Sequence, residues 1–225
     1  MKLSPAFLIA TAALAFAGSE TPFNGKDLTG WEIKNKAAAK WSVGEAAMSA
    51  ADSKLLEVKA GGSALVNQVA GHGQSHDIFS TEKYGDMRLE LEVMVPKGSN
   101  SGIYVMGEYE VQVFDSHGKK DLTPGDMGAI YSAAVPKVNA SKAPGEWQKY
   151  VIEFRAPKFD DKGVKTKSAV FVKVELNGTV LHENVEMKGP TPGGVTGKEA
   201  ATGPLMFQGD HGAVAYRNIK VTALK

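Results

Sequence analysis

Two short stretches of this sequence combine residue types that can do acid–base chemistry. The first is Tyr109-Glu110-Val111-Gln112-Val113-Phe114. As a strand it puts Tyr109, Val111 and Val113 on one face and Glu110, Gln112 and Phe114 on the other. A carboxylate beside an amide and a ring suits hydrogen bonding to hydroxyls with stacking, although charge on the outer face of a sheet is also ordinary. The second stretch is Gly209-Asp210-His211-Gly212. A neutral imidazole accepts a proton near neutral pH, and an adjacent carboxylate can orient it or raise its pKa. The same Asp-x-Gly cluster also makes a plain turn. His72 and His76 have the i, i+4 spacing of a helical metal pair, but Gly71 and Gly73 oppose a helix, so this segment reads as a polar loop. Asp115, Asp121 and Asp126 make an oxygen-rich loop without EF-hand spacing, which leaves a divalent metal ion open as a cofactor. Glu108 and Glu110 form a second kind of pair, two carboxylates on one strand face, with Glu108 falling in an expected turn.

The elements that must position these groups are nearly all strands. Arg88 to Val95 alternates with Leu89, Leu91, Val93 and Val95 on one face. Further strands are expected over 103–106, 109–114, 148–154, 169–176, 180–182, 204–208 and 214–221. Gly107-Glu108 predicts a type II′ hairpin and Asn177-Gly178 a type I′ hairpin. The one helical signal, Ala37-Ala38-Ala39-Lys40, is too short to stand alone. Long loops are expected over 115–128, 134–146 and 183–203, and loops of such length are often functional. The pattern predicts an all-β, two-sheet antiparallel sandwich of the jelly-roll kind.

The chain has 225 residues, no cysteine, and 26 basic against 25 acidic residues. Zero cysteine excludes disulfide frameworks, zinc ribbons and thiol nucleophiles. The balanced charge argues against a nucleic-acid binder. Residues 1–17 read as a signal peptide: Lys2 gives a positive start, an apolar run follows, and Ala15-Phe16-Ala17 suits cleavage before Gly18. The product is expected to be secreted or periplasmic, without a membrane anchor, as a single domain over 18–225.

Six ordered motifs then resemble one family. Phe23-Asn24-Gly25-Lys26-Asp27-Leu28-Thr29-Gly30-Trp31 resembles its opening, and Asn100-Ser101-Gly102-Ile103-Tyr104 and Glu108 to Ser116 resemble two of its strands. Gly128-Ala129-Ile130-Tyr131 and Pro144-Gly145-Glu146-Trp147-Gln148 follow. Last come Gly203-Pro204-Leu205 through Gln208-Gly209-Asp210-His211-Gly212, and Arg217-Asn218-Ile219. The family is the 3-keto-disaccharide hydrolase domain, also called DUF1080. Gly209 departs from its pattern as an extra residue, read here as a bulge that re-aims His211.

The resemblance implies a concanavalin- or glucanase-like jelly roll that cleaves glycosides whose sugar is oxidised at C3. It implies a carbohydrate substrate. Within it, His211, Glu110 and Asp210 are the candidate catalytic residues. Gln112, Tyr131, Gln208, Arg217 and Asp115 are the candidate substrate contacts. The rival readings are a conventional glycosidase using two carboxylates and a non-catalytic, lectin-like carbohydrate-binding domain, which the same fold would serve.

Overall fold

The computed structural model describes residues 18–38 and 40–225; the expected signal peptide lies outside the described residues. Fifteen strands follow in order: β1 (Ser19–Glu20), β2 (Trp31–Ile33), β3 (Trp41–Met48), β4 (Leu56–Asn67), β5 (Ile78–Tyr84), β6 (Met87–Met94), β7 (Asn100–Val105), β8 (Tyr109–Phe114), β9 (Gln148–Arg155), β10 (Lys158–Phe159), β11 (Lys165–Lys167), β12 (Val170–Leu176), β13 (Thr179–Glu186), β14 (Gly203–Phe207) and β15 (Val214–Ala223). Among the described residues one 3-10 turn, Lys36–Ala38, stands where the alanine run gave its weak helical signal.

The strands form two antiparallel sheets and a small β10-β11 ribbon. The larger sheet runs β13-β12-β9-β6-β15-β4-β3, with β1 added on β15; the smaller runs β2-β5-β14-β7-β8. Leu89, Leu91 and Val93 of β6 and Tyr109, Val111 and Val113 of β8 are all buried in one core cluster, as their alternation predicts. The arrangement is an all-β antiparallel sandwich, consistent with a jelly roll.

Four rings form a column through that core. Trp31 stacks on Phe207 with centroids 5.3 Å apart, and Phe207 stacks on Tyr216 at 4.0 Å. Trp41 tilts against Tyr216 at 6.4 Å. Trp31 and Phe207 belong to the smaller sheet and Tyr216 and Trp41 to the larger, so the column joins the two layers. Phe207 is the last residue of β14 and leads directly into the Gln208–Gly212 segment. The same packing that closes the core therefore fixes where that segment begins.

Two turns show the local rules at work. Asn177 and Gly178 both take positive φ, 53° and 83°, as a type I′ turn requires. The β7–β8 turn differs from the expectation. Glu108 N–H donates to Val105 O, and the residues with positive φ are Met106 and Gly107, so the turn is centred one residue earlier. The shift matters because it frees the Glu108 side chain to turn inward.

The central test of the column is Phe207→Ala. Removing a buried ring that touches both sheets should cost about 3–5 kcal/mol and lower the melting temperature by roughly 6–20 °C for a domain of this size. A loss under about 1 kcal/mol would show that the column does not join the layers.

Candidate functional site

The site is built on the face of the smaller sheet that looks away from the core. Cross-strand pairing places Asn100 opposite Phe114, Gly102 opposite Gln112 and Tyr104 opposite Glu110. These six residues share one face because side chains alternate along each strand. Sequence reasoning expected the β8 part of this face to be open. It is covered instead: Glu110 is only 2% exposed and Gln112 only 4%.

Three segments supply the cover. Residues 128–131 pair along the free edge of β8, with Gln112 N–H donating to Ala129 O and Tyr131 N–H to Glu110 O. This protects the sheet edge and holds Tyr131 over the face. Residues 191–197 fold back on the hairpin. Thr191 Oγ1 accepts from Glu110 N–H, and Val195 N–H donates to Gly107 O. The Gln208–Gly212 segment closes the third side. From across the sandwich, the buried Tyr150 hydroxyl donates to Gln112 O at 2.9 Å, so the larger sheet also fixes the β8 backbone.

These elements enclose a pocket of about 180 Å³ lined by Tyr104, Glu110, Gln112, Tyr131, Gln208 and His211, together with Asn100, Pro192 and Gly193. At about 30 Å³ per water, it has room for roughly six waters, the scale of one sugar ring. A larger cavity of about 420 Å³ lies near the hairpin end, beside Met106, Glu108 and Pro204. None of the candidate catalytic residues lines it.

Glu110 is the unusual group. Its Oε2 lies 2.8 Å from the Tyr104 hydroxyl, while Oε1 has no hydrogen bond among the described residues. A Cβ on Gly102 would fall 2.2 Å from Oε1, so only glycine leaves space for this carboxyl. Burial pushes the Glu110 pKa up; the Tyr104 hydrogen bond opposes this, Asp77 and Asp210 add to it, and the result is about 8. The Tyr104 hydroxyl also lies 3.0 Å from Pro192 O. One hydroxyl proton cannot serve both acceptors. With Glu110 protonated, a continuous chain runs from Glu110 Oε2 to Tyr104 to Pro192 O. Ionising Glu110 draws the Tyr104 proton back and leaves that carbonyl without it.

Two further acceptors line the same pocket. Gln112 Nε2 donates toward Asn100 Oδ1 and Gly125 O, yet Gln112 Oε1 is buried with no partner among the described residues. Gln208 Oε1 is in the same condition. Buried acceptors without donors are costly.

Asp210 and His211 stand at the rim, with His211 Nδ1 2.5 Å from Asp210 Oδ1. Gly209 accounts for their aim. Its N–H donates to Asp77 Oδ1, its carbonyl accepts from the buried Asn67 Nδ2, and a Cβ there would fall 2.2 Å from His76 O. Burial raises the Asp77 pKa; the Gly209 N–H opposes this and Asp210 adds to it.

Of the residues singled out from sequence, Glu110, Gln112, Tyr131, Gln208 and His211 line this pocket, and Asp210 contacts His211. Arg217 and Asp115 do not line it. Arg217 follows the inward-facing Tyr216, so it points outward, where it pairs with Glu92 at 2.6 Å and lies over the Trp147 ring at 4.0 Å. Asp115 accepts from Gly98 N–H and His117 N–H just beyond the end of β8. Glu108, the second carboxylate of the glycosidase reading, is spent on structure: it accepts from Thr196 N–H, Thr196 Oγ1 and Gly197 N–H. The oxygen-rich 115–128 loop carries its own cation. Burial opposes ionisation of Asp126, but Lys119 at 2.8 Å, with Thr123 and Ser116, holds its pKa down to about 2. His182 is a satisfied core residue, bonded to Gly128 O at 2.9 Å.

Sequence reasoning missed Tyr104, Asn100 and Asp77, and placed His72 in a polar loop. Asn100 and Tyr104 share parity on a strand paired with β8, a signal that was present. Nothing local marked Asp77. His72 meets His211, with ring centroids 4.5 Å apart, rather than His76.

A raised carboxyl pKa is also a statement about stability. Glu110 binds its proton more tightly folded than unfolded, so its contribution is complete below about 4.5 and is lost as pH rises through about 8. The full gap is on the order of 5 kcal/mol. Glu110→Gln, which stays neutral, should therefore melt several degrees above the parent at pH ~9, with the difference closing toward pH ~4. A difference independent of pH, measured by calorimetry, would contradict the buried neutral acid.

Residues 18–222 match the family model described as the 3-keto-alpha-glucoside-1,2-lyase-like domain. Comparison with curated proteins gives no match. Among solved structures, the chain is similar to a candidate glycosyl hydrolase from Parabacteroides distasonis solved at 2.13 Å. The identity is 27%, with 100% of this chain and 94% of that chain covered and a TM-score of 0.71. A second candidate glycosyl hydrolase from the same organism, 21% identical with a TM-score of 0.62, covers 92% of this chain and 94% of its own, and shares the fold. With its motifs and nearly its whole described length matched, the chain belongs to the 3-keto-alpha-glucoside-1,2-lyase-like domain family.

Proposed function

We propose that the protein is an exported enzyme that cleaves 3-keto-glycosides by base-assisted elimination followed by hydration. The observation that carries this reading is Glu110, a buried carboxyl with a pKa of about 8 in a pocket with buried, unpartnered acceptors. The family assignment and the candidate glycosyl hydrolase it resembles both point to glycosides.

The chemistry follows from the ketone. A carbonyl at C3 acidifies the C2 proton, and the ionised form of Glu110 removes it. The electron pair forms an enolate and then the C1–C2 double bond, as the C1–O bond breaks. The departing oxygen takes a proton, and water adds across the double bond, so the net change is hydrolysis. A base with a pKa near the working pH suits this step. Donors are needed where the enolate oxygen gains charge, a role within reach of the Tyr131 hydroxyl and of His211. Gln112 and Gln208, which line the pocket, are the candidate contacts for the sugar. A conventional glycosidase needs two carboxyl groups free to flank the bond, and Glu108 is not free. The reading includes cleavage of residues 1–17, a location in the periplasm or outside the cell, and one domain over 18–225.

The test is incubation of the purified protein with a 3-keto-glucoside in deuterated water. Free 3-keto-sugar carrying deuterium at C2 is expected. The rate should rise with pH toward a plateau above about 8 as Glu110 ionises. Glu110→Gln should lower kcat by about 10²–10⁴-fold. Product without deuterium at C2, or full activity in Glu110→Gln, would overturn the mechanism.

A further inference from the structure

We infer that His72, Asp210 and His211 form a binding site for one divalent first-row transition-metal ion at the rim of the pocket. One ligand atom from each lies within 4.8 Å of the others. With bonds of about 2.0–2.2 Å, cis ligands on a tetrahedral or octahedral ion stand roughly 3–3.6 Å apart. Small side-chain rotations therefore close the cluster. Two imidazoles and a carboxylate suit zinc, iron, cobalt or manganese, and are a poor match for calcium or magnesium, which prefer all-oxygen shells.

The backbone around the cluster is already tied down, so little chain ordering would be needed on binding. Gly73 N–H donates to Asp210 O at 2.6 Å, joining the loop that carries His72 to the loop that carries the other two ligands. Asn67 Nδ2 bonds both Gly209 O and Gly212 O, at 2.7 and 2.9 Å, bracketing Asp210 and His211. Trp41 Nε1 donates to His76 O at 2.7 Å and steadies the far end of the His72 loop. The T-shaped contact of the His72 and His211 rings brings imidazoles from these two loops together. The helical His72–His76 spacing played no part; the fold pairs His72 with a residue far away in sequence.

Three protein ligands leave coordination positions open, the pattern of reactive rather than structural sites. His211 lines the pocket together with Glu110 and Gln112, so an open position would face a bound sugar oxygen. In this last respect only, the inference rests on the elimination reading; the existence of the site does not.

The test is direct binding of Co²⁺ to chelator-stripped protein, followed by the visible ligand-field absorption and by calorimetry. One equivalent should bind, with displacement by Zn²⁺. His72→Ala and His211→Ala should each weaken binding by at least about a hundredfold. Alanine at the exposed His117 should bind like the parent. His72 is exposed, so its variant should fold, and an unchanged melting temperature without metal checks this. Failure to bind Co²⁺ or Zn²⁺, or equal binding in parent and His72→Ala, would overturn the site. Because the readout is binding, its failure leaves the elimination reading standing, and loss of turnover with binding intact would do the reverse.

Discussion

Keeping a carboxyl group out of water beneath a folded surface is the constraint from which the rest of this molecule follows. An ionised Glu110 at 2% exposure would be expensive. The protein offsets that by keeping Glu110 neutral: burial raises its pKa to about 8 against the opposing hydrogen bond from Tyr104. Each neighbour is chosen to permit this. Gly102 leaves room for Oε1, and Gly193, with φ of 85°, comes so close to Tyr104 that a Cβ would sit 2.6 Å from its hydroxyl. Thr191 satisfies the Glu110 amide without presenting a charge. An acid held near neutrality in this way is costly for stability and useful for proton transfer, a common association at functional sites.

The sandwich supplies the rigidity such a site needs. The Trp31–Phe207–Tyr216–Trp41 column locks the sheets together and includes Phe207, the residue preceding Gln208. Tyr150 reaches from the larger sheet to hold Gln112 O, and the Tyr216 hydroxyl meets Ser101 Oγ at 2.8 Å. Both faces of β7 and β8 are thus used: the odd residues build the core and the even residues build the pocket. A shift of one residue in register would exchange the two sets, so core packing and site geometry are specified together.

Much of this was legible in the sequence, for identifiable reasons. Period-two alternation gave β6, β8, β9, β12 and β15, and Asn177-Gly178 gave its turn. The face carrying Glu110 and Gln112 was readable from parity alone. Its burial was not, because the covering comes from segments around 128–131, 191–197 and 208–212, far apart in sequence. Strands β3 and β4 were hidden by Ala and Gly, which carry little strand signal. Gly62 is required there because a Cβ would fall 2.1 Å from Glu45 N at the β3–β4 register shift. Arg217 shows the limit of motif reading. It belongs to a family-like segment, yet strand parity turns it away from the pocket to Glu92 and Trp147. Asp77 had no local signature, and the local His72–His76 spacing pointed to the wrong partner; only tertiary pairing of the 71–77 and 208–212 segments brings Asp77 and His72 to the site.

The central claim is that Glu110 is a neutral acid in the resting protein and a base near the upper end of the physiological range. The most direct measurement is the carbon-13 chemical shift of the glutamate side-chain carboxyls across a pH titration, with Glu110 assigned by its absence in Glu110→Gln. The account requires one carboxyl, Glu110, to titrate at about 8. A Glu110 resonance that titrates near the ordinary glutamate value of 4.5 would contradict it.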